Sequence, residues 1–155
     1  MKLAEALALR ADAARRVEQL RARIAASARY QEGEEPAEDA GQLLEESTAV
    51  LDEMESLVRR INRTNAAAVL DGSGTLTDAL ARRDVLRLRH AVVTTAADAA
   101  AGRDRGAVRQ LRSELKMLSA LPVAELRARA DVLAREIREV DVRIQRANWE
   151  VDLLD

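Results

Sequence analysis

Residues 122–151 read PVAELRARADVLAREIREVDVRIQRANWEV, and this stretch decides the fold. Val123, Leu126, Ala130, Leu133, Ile137, Val140, Ile144, Ala147 and Val151 recur at alternating three- and four-residue steps. That spacing places them on one stripe of an α-helix. Pro122 suits the first helical turn, where its missing N–H would have found no intrahelical partner. The seam runs for about four heptads, and such a seam is ordinarily buried by another helix, of the same chain or of a second one.

The rest of the chain continues this pattern. Leu3, Leu7, Ala14, Val17, Leu20 and Ile24 share one face of a helix expected over 2–28. A polar break over 29–41 holds Gly33, Pro36 and five acidic residues. Leu43, Val50, Leu51, Met54, Leu57, Val58 and Ile61 form the seam of a helix expected over 42–67, which ends at the turn signal Asp71-Gly72-Ser73-Gly74. Thr75 and Thr77 offer N-caps for a helix over 76–101, with Asp78 in its first turn and Gly102 after its end. The helix of residues 122–149 is the fourth. Residues 104–120 read two ways: Val108, Leu111, Leu115 and Leu118 have helical spacing, while Leu115 and Met117 alternate about Lys116 as in a strand. The strand reading pairs this segment with Val69-Leu70 in a short β-hairpin. The expectation is a mainly α protein, a coiled-coil-like bundle of about four long helices in one domain over 1–155.

Composition agrees. Apolar residues make up 48% of the chain and aromatics only 1%, so the core must be built from Ala, Leu, Val and Ile; with 34% charged residues this is a long-helix composition. The formal charge of −2 gives no overall field for nucleic acid, and one Trp with one Tyr leaves little for base stacking. Charge is unevenly spread: residues 29–55 hold one Arg against ten acids, and residues 56–113 hold eleven Arg against five Asp. Pairing between the two stretches, within the chain or between copies, follows from that asymmetry. The chain has no cysteine, hence neither disulfide nor thiolate metal site. Met1-Lys2-Leu3-Ala4-Glu5 carries an acid where a signal peptide needs an apolar run, and no stretch approaches the ~20 apolar residues of a membrane span, so a cytoplasmic location is expected.

Several polar residues fall where a plain bundle needs none. On the third helix Leu80, Asp84, Leu88, Ala91, Val92 and Thr95 share a face, which sets Asp84 inside an apolar stripe beside a cationic stripe of Arg83, Arg87 and His90. A buried carboxylate requires a partner, and Arg87 lies one turn on. Leu86 and Val93 lie on another side, so this helix is expected to be covered on more than one face. Arg10, Arg21, Asn62, Asn65, Asp141 and Asn148 interrupt or border the other seams. One reading is a polar network that fixes register and assembly. The other is a site between helices. In it Asp84 and His90, with Glu35, Glu38 and Asp39 of the acidic loop, are the candidate ligands of a divalent metal ion such as Mg²⁺, Ca²⁺ or Mn²⁺. Arg83, Arg87, Asn62, Asn65 and Asn148 are the candidates for a small anion. The run Arg59-Arg60-Ile61-Asn62-Arg63-Thr64-Asn65 could also hold an anion. There is no Glu-x-x-His, His-x-x-x-His, P-loop, Gly-x-Ser-x-Gly or dinucleotide fingerprint, and catalysis has little support.

Ala28-Arg29-Tyr30-Gln31-Glu32-Gly33, Pro36-Ala37-Glu38-Asp39, Ile61-Asn62-Arg63-Thr64-Asn65, the segment from Thr75 through Asp84, Leu86-Arg87-Leu88-Arg89-His90 and Ile144-Gln145-Arg146-Ala147-Asn148-Trp149 occur in that order. As a set they resemble a family of small all-helical bacterial proteins, frequent in actinobacteria, that carries the name septicolysin. The resemblance spans nearly the whole chain. It departs at Ala28, where the family often has Asn, and at Pro122, where it often has an acidic cap. The family name implies a pore-forming cytolysin. The motifs shared with it include the polar positions that stand out from the periodicity, in support of a shared polar site. Three functions therefore stand side by side: a homo-oligomeric bundle with a polar site for a metal or small anion, a purely structural or interaction module, and a cytolysin.

Overall fold

The computed structural model describes residues 1–72, 74–103 and 115–155. Among them the elements are α1 (Leu3–Ser27), α2 (Ala40–Ala67), β1 (Val69–Leu70), β2 (Gly74–Thr75), α3 (Leu76–Ala100) and α4 (Val123–Glu150). The protein is mainly α, with four helices and one short two-stranded sheet among the described residues. The chain forms two compact units, Met1–Val69 with Arg146–Asp155, and Leu70–Gln145.

In the first unit α1 and α2 form an antiparallel helical hairpin. Arg16 meets Glu46 at 2.8 Å and Arg23 meets Glu38, so one residue number falls as the other rises. Leu20, Leu43 and Val50 pack between the two helices, with Ala13, Val17 and Ile24 against them. The helix α2 starts at Ala40, two residues before the expected start at 42, because the Asp39 side chain caps it: Asp39 Oδ1 accepts from the N–H groups of Gly41 at 2.9 Å and Gln42 at 3.1 Å. The ends of this unit are tied together. Leu3 N–H donates to the Val151 carbonyl at 3.0 Å, Leu153 N–H donates to the Met1 carbonyl at 2.9 Å, and Lys2 Nζ reaches Asp152 at 2.9 Å.

In the second unit the strands pair across the turn at Asp71-Gly72, with Gly72 and Gly74 at positive φ. Among the described residues the partner of Val69–Leu70 is thus Gly74–Thr75. Residues 115–122 form neither helix nor strand, and 104–114 lie outside the described residues. Thr75 and Asp78 then start α3 with a reciprocal capping box: Asp78 N–H donates to Thr75 Oγ1 and Thr75 N–H donates to Asp78 Oδ2 at 2.7 Å. Along α4 of this unit Ala130, Leu133, Val140 and Ile144 are buried, on the seam the sequence spells out. Arg127 meets Asp98 at 2.6 Å, and Asp141 meets Arg87 at 3.2 Å, so α3 and α4 run antiparallel.

The buried face of α3 is not the one the stripe through Asp84 suggests. Leu76, Ala79, Leu86, Val93 and Ala97 are buried, and Arg83 and His90 fill the steps between them, half-buried. The opposite row is open: Leu88 is 67% exposed and Val92 69%. A helix with two apolar rows offers two candidate seams of equal spacing, and periodicity cannot choose between them. The choice falls to the row whose polar members have long side chains that bury their stems and carry their charge to the edge.

Candidate functional site

The sequence-selected polar residues of the second unit gather where α3 meets α4. Arg83 projects from the buried seam with its side chain 22% exposed; its Nη2 donates to Asp84 Oδ1 at 3.0 Å and its Nε to the same oxygen at 3.1 Å. Its Nη1 lies 3.8 Å from Asp141 Oδ1 on α4. One turn later Arg87 Nη2 donates to both Asp141 oxygens, at 3.2 and 3.4 Å. The hub of this network is therefore Asp141, an edge residue of the α4 seam, and not Asp84. Asp84 is 63% exposed at its side chain and bonds only outward, to its neighbour Arg83. The carboxylate inside an apolar row is real, but that row faces solvent, so its charge stays hydrated and needs no buried partner.

The chemistry this arrangement can perform is limited. Two guanidinium groups face two carboxylates, so the local charge is balanced within the unit and no surplus positive field awaits an anion. His90 lies half-buried on the inner seam of α3, two turns from Arg83. Among the described residues no three His, Cys, Asp or Glu side chains are grouped so as to hold a metal ion.

The remaining candidates all lie in the first unit, where Glu38 and Asp39 have structural partners. Glu38 takes a fork from Arg23, with Nε at 3.0 Å, and that hydrogen bond holds its carboxyl below the ordinary carboxylate range. Asp39 is the cap of α2. Glu35 is exposed in the connecting loop. Asn148 is buried, Asn65 half-buried and Asn62 exposed. The structure thus brings Arg83, Arg87 and Asp84 together with Asp141 and leaves the acidic loop engaged in capping and pairing.

Sequence reasoning missed a second cluster, on α2. Arg60, Arg63 and Thr64 hold Leu154 and Asp155 by hydrogen bonds spanning some ninety positions of the chain. The arginine run around them was legible as a place for an anion. What it holds, a carboxylate of the same chain, was not.

Residues 10–153 match the model of DUF6847, described as a family of unknown function. The chain belongs to this family. It is also similar to a functionally unknown conserved protein from Corynebacterium diphtheriae, whose crystal structure matches with a TM-score of 0.91 at 40% sequence identity, covering 99% of each chain. No curated protein matches. The actinobacterial side of the resemblance is upheld by that relative, while the family shown is described as one of unknown function and not as a septicolysin. No helix among the described residues is long and apolar enough to cross a membrane.

Proposed function

We propose that this member of the family is a self-associating structural or interaction module, with its polar residues serving helix register and not a ligand. One observation carries the reading: α3 presents a second, open face. Ala81, Val85, Leu88, Ala91, Val92, Thr95 and Ala99 are all exposed along it, and Asp84 is the one charge they surround. A row of this kind, about five turns long, is larger than the scattered apolar residues of an ordinary surface. The occupant we assign is a second copy. Two such rows pack without like charges facing each other at their centre, and Arg82 and Arg89 stay at the rim.

The energetics set the strength. Full burial of a Val or Leu side chain is worth about 1.5–3 kcal/mol, so covering the exposed parts of Val85, Leu88 and Val92 contributes roughly 3–5 kcal/mol per subunit. Two subunits gain about 6–10 kcal/mol, against an association cost of at least about 4 kcal/mol. The face is about 27 Å long and one helix wide, well under the ~800 Å² per partner of a tight complex. The dimer is accordingly weak and concentration-dependent. Static light scattering from roughly 10 µM to 1 mM should show the apparent mass rise from 17.0 kDa toward twice that value; a constant 17.0 kDa overturns the proposal. Liposomes loaded with dye separate this reading from a cytolysin: the module leaves them intact.

A further inference from the structure

Arg60, Arg63 and Thr64 lie on neighbouring turns of α2 and together read an extended piece of chain. Thr64 is 1% exposed; its hydroxyl donates to the Arg60 carbonyl at 2.8 Å, which leaves its oxygen to accept the Leu154 N–H at 3.0 Å. Arg60 Nε donates to the Leu154 carbonyl at 3.0 Å and its Nη2 to Asp155 Oδ1 at 3.0 Å. Arg63 Nη1 donates to the main-chain oxygen of Asp155 at 2.9 Å. One main-chain donor, two main-chain acceptors and one carboxylate are matched by three side chains, and the Leu153 side chain is buried beneath them. Main-chain groups read together with a charge-assisted arginine hydrogen bond to a carboxylate are elements of peptide recognition.

A groove of about 400 Å³ runs along α2 beside Asp155, past Arg59 and Ser56 to Glu55 and Asp52.

We propose that this part of α2 is a recognition site for an extended acidic peptide of the form Leu-Leu-Asp, occupied in cis by Leu153-Leu154-Asp155. A partner segment enters by displacing the chain's own, so its apparent affinity is lowered by the fraction of time the site is vacant. The site lies in the first unit and depends on nothing in α3, so it stands or falls apart from the self-association.

The test is fluorescence anisotropy with a labelled peptide, Glu-Val-Asp-Leu-Leu-Asp, titrated with the full chain and with its Asp155→Ala variant. The variant's own segment has lost its carboxylate grip on Arg60, so it should bind the peptide about three- to tenfold more tightly than the unsubstituted chain. Adding Arg60→Ala and Arg63→Ala to that variant should abolish saturable binding. Should those changes unfold the chain, Arg60→Lys, which keeps the charge but not the two N–H groups that reach Leu154 and Asp155 together, should weaken the peptide severalfold. Equal affinity for both chains, no saturable binding by either, or binding indifferent to Arg60 and Arg63 overturns the proposal.

Discussion

Replacing Asp84 and Asp141 separately by Asn distinguishes the two acids of the α3–α4 patch. Asp141 is 35% exposed at its side chain and takes hydrogen bonds of 3.2 and 3.4 Å from Arg87, with Arg83 at 3.8 Å. Neutralising it leaves two guanidinium groups facing one carboxylate. Exposed pairs contribute about 0.2–1 kcal/mol each, and partial burial of Arg83 puts the sum for Asp141→Asn at roughly 1–1.5 kcal/mol. In a chain of 155 residues that lowers Tm by about 2–5 °C. Asp84→Asn loses one exposed contact to an adjacent residue and should cost under about 0.5 kcal/mol, close to the scatter of a melt. Thermal unfolding followed by far-UV circular dichroism reads both, and added salt should shrink the Asp141 deficit by screening. A drop of several kcal/mol for Asp84→Asn at concentrations where the chain is monomeric would show that Asp84 is buried within the chain and refute this assignment of faces. A rise in stability for Asp141→Asn would point instead to a carboxylate held in place for a ligand, since functional groups often sit at a cost to stability.

Further expectations follow from local chemistry. Gly74→Ala should cost about 1–3 kcal/mol, because the residue sits at φ +88° and a Cβ there would meet Asp78 Oδ2 at 2.6 Å; chemical denaturation measures it. Thr94→Val should leave stability unchanged or raise it by up to about 1 kcal/mol, since Thr94 Oγ1 is buried with no partner among the described residues. Three carboxyls are held below their ordinary values: Glu38 by its hydrogen bond from Arg23, Asp78 by those from the Thr75 main chain and hydroxyl, and Asp152 by that from Lys2. The folded state therefore binds these protons less readily than the unfolded chain. Their contribution is complete above the ordinary values of 4.5 for Glu and 3.8 for Asp and is lost as pH falls below them. An acid titration should show stability declining over that range, less steeply in Glu38→Gln; a flat profile contradicts this.

The periodicity of α4 was legible because one apolar row alternates cleanly with charge, and the buried residues Ala130, Leu133, Val140 and Ile144 lie on that row. On α3 the same signal was ambiguous. Two rows have helical spacing, and the buried one contains Arg83 and His90, which a hydrophobicity pattern counts as breaks. Asp84 thus meets its chain neighbour Arg83, while Arg87, the partner expected for it, reaches Asp141; the direction these residues face was not available from spacing. The Val69–Leu70 strand was visible but its partner was not, because the nearer Gly74–Thr75 closes the loop at a smaller entropic cost than a distant segment. The acidic loop read as a ligand source; locally Asp39 is a cap and Glu38 pairs with Arg23 fifteen residues away. The grip of Arg60 on Asp155 joins positions ninety-five apart, and no periodicity reports such a contact.

The central claim is that the open row of α3 is where two copies meet. Equilibrium sedimentation of the unsubstituted chain beside Leu88→Glu tests it most directly, since Leu88 lies at the middle of that row and is 67% exposed, where a charge should leave the fold intact. The unsubstituted chain should rise above 17.0 kDa with concentration while Leu88→Glu stays there throughout. Association of Leu88→Glu to the same extent as the unsubstituted chain, or none in either, would contradict it.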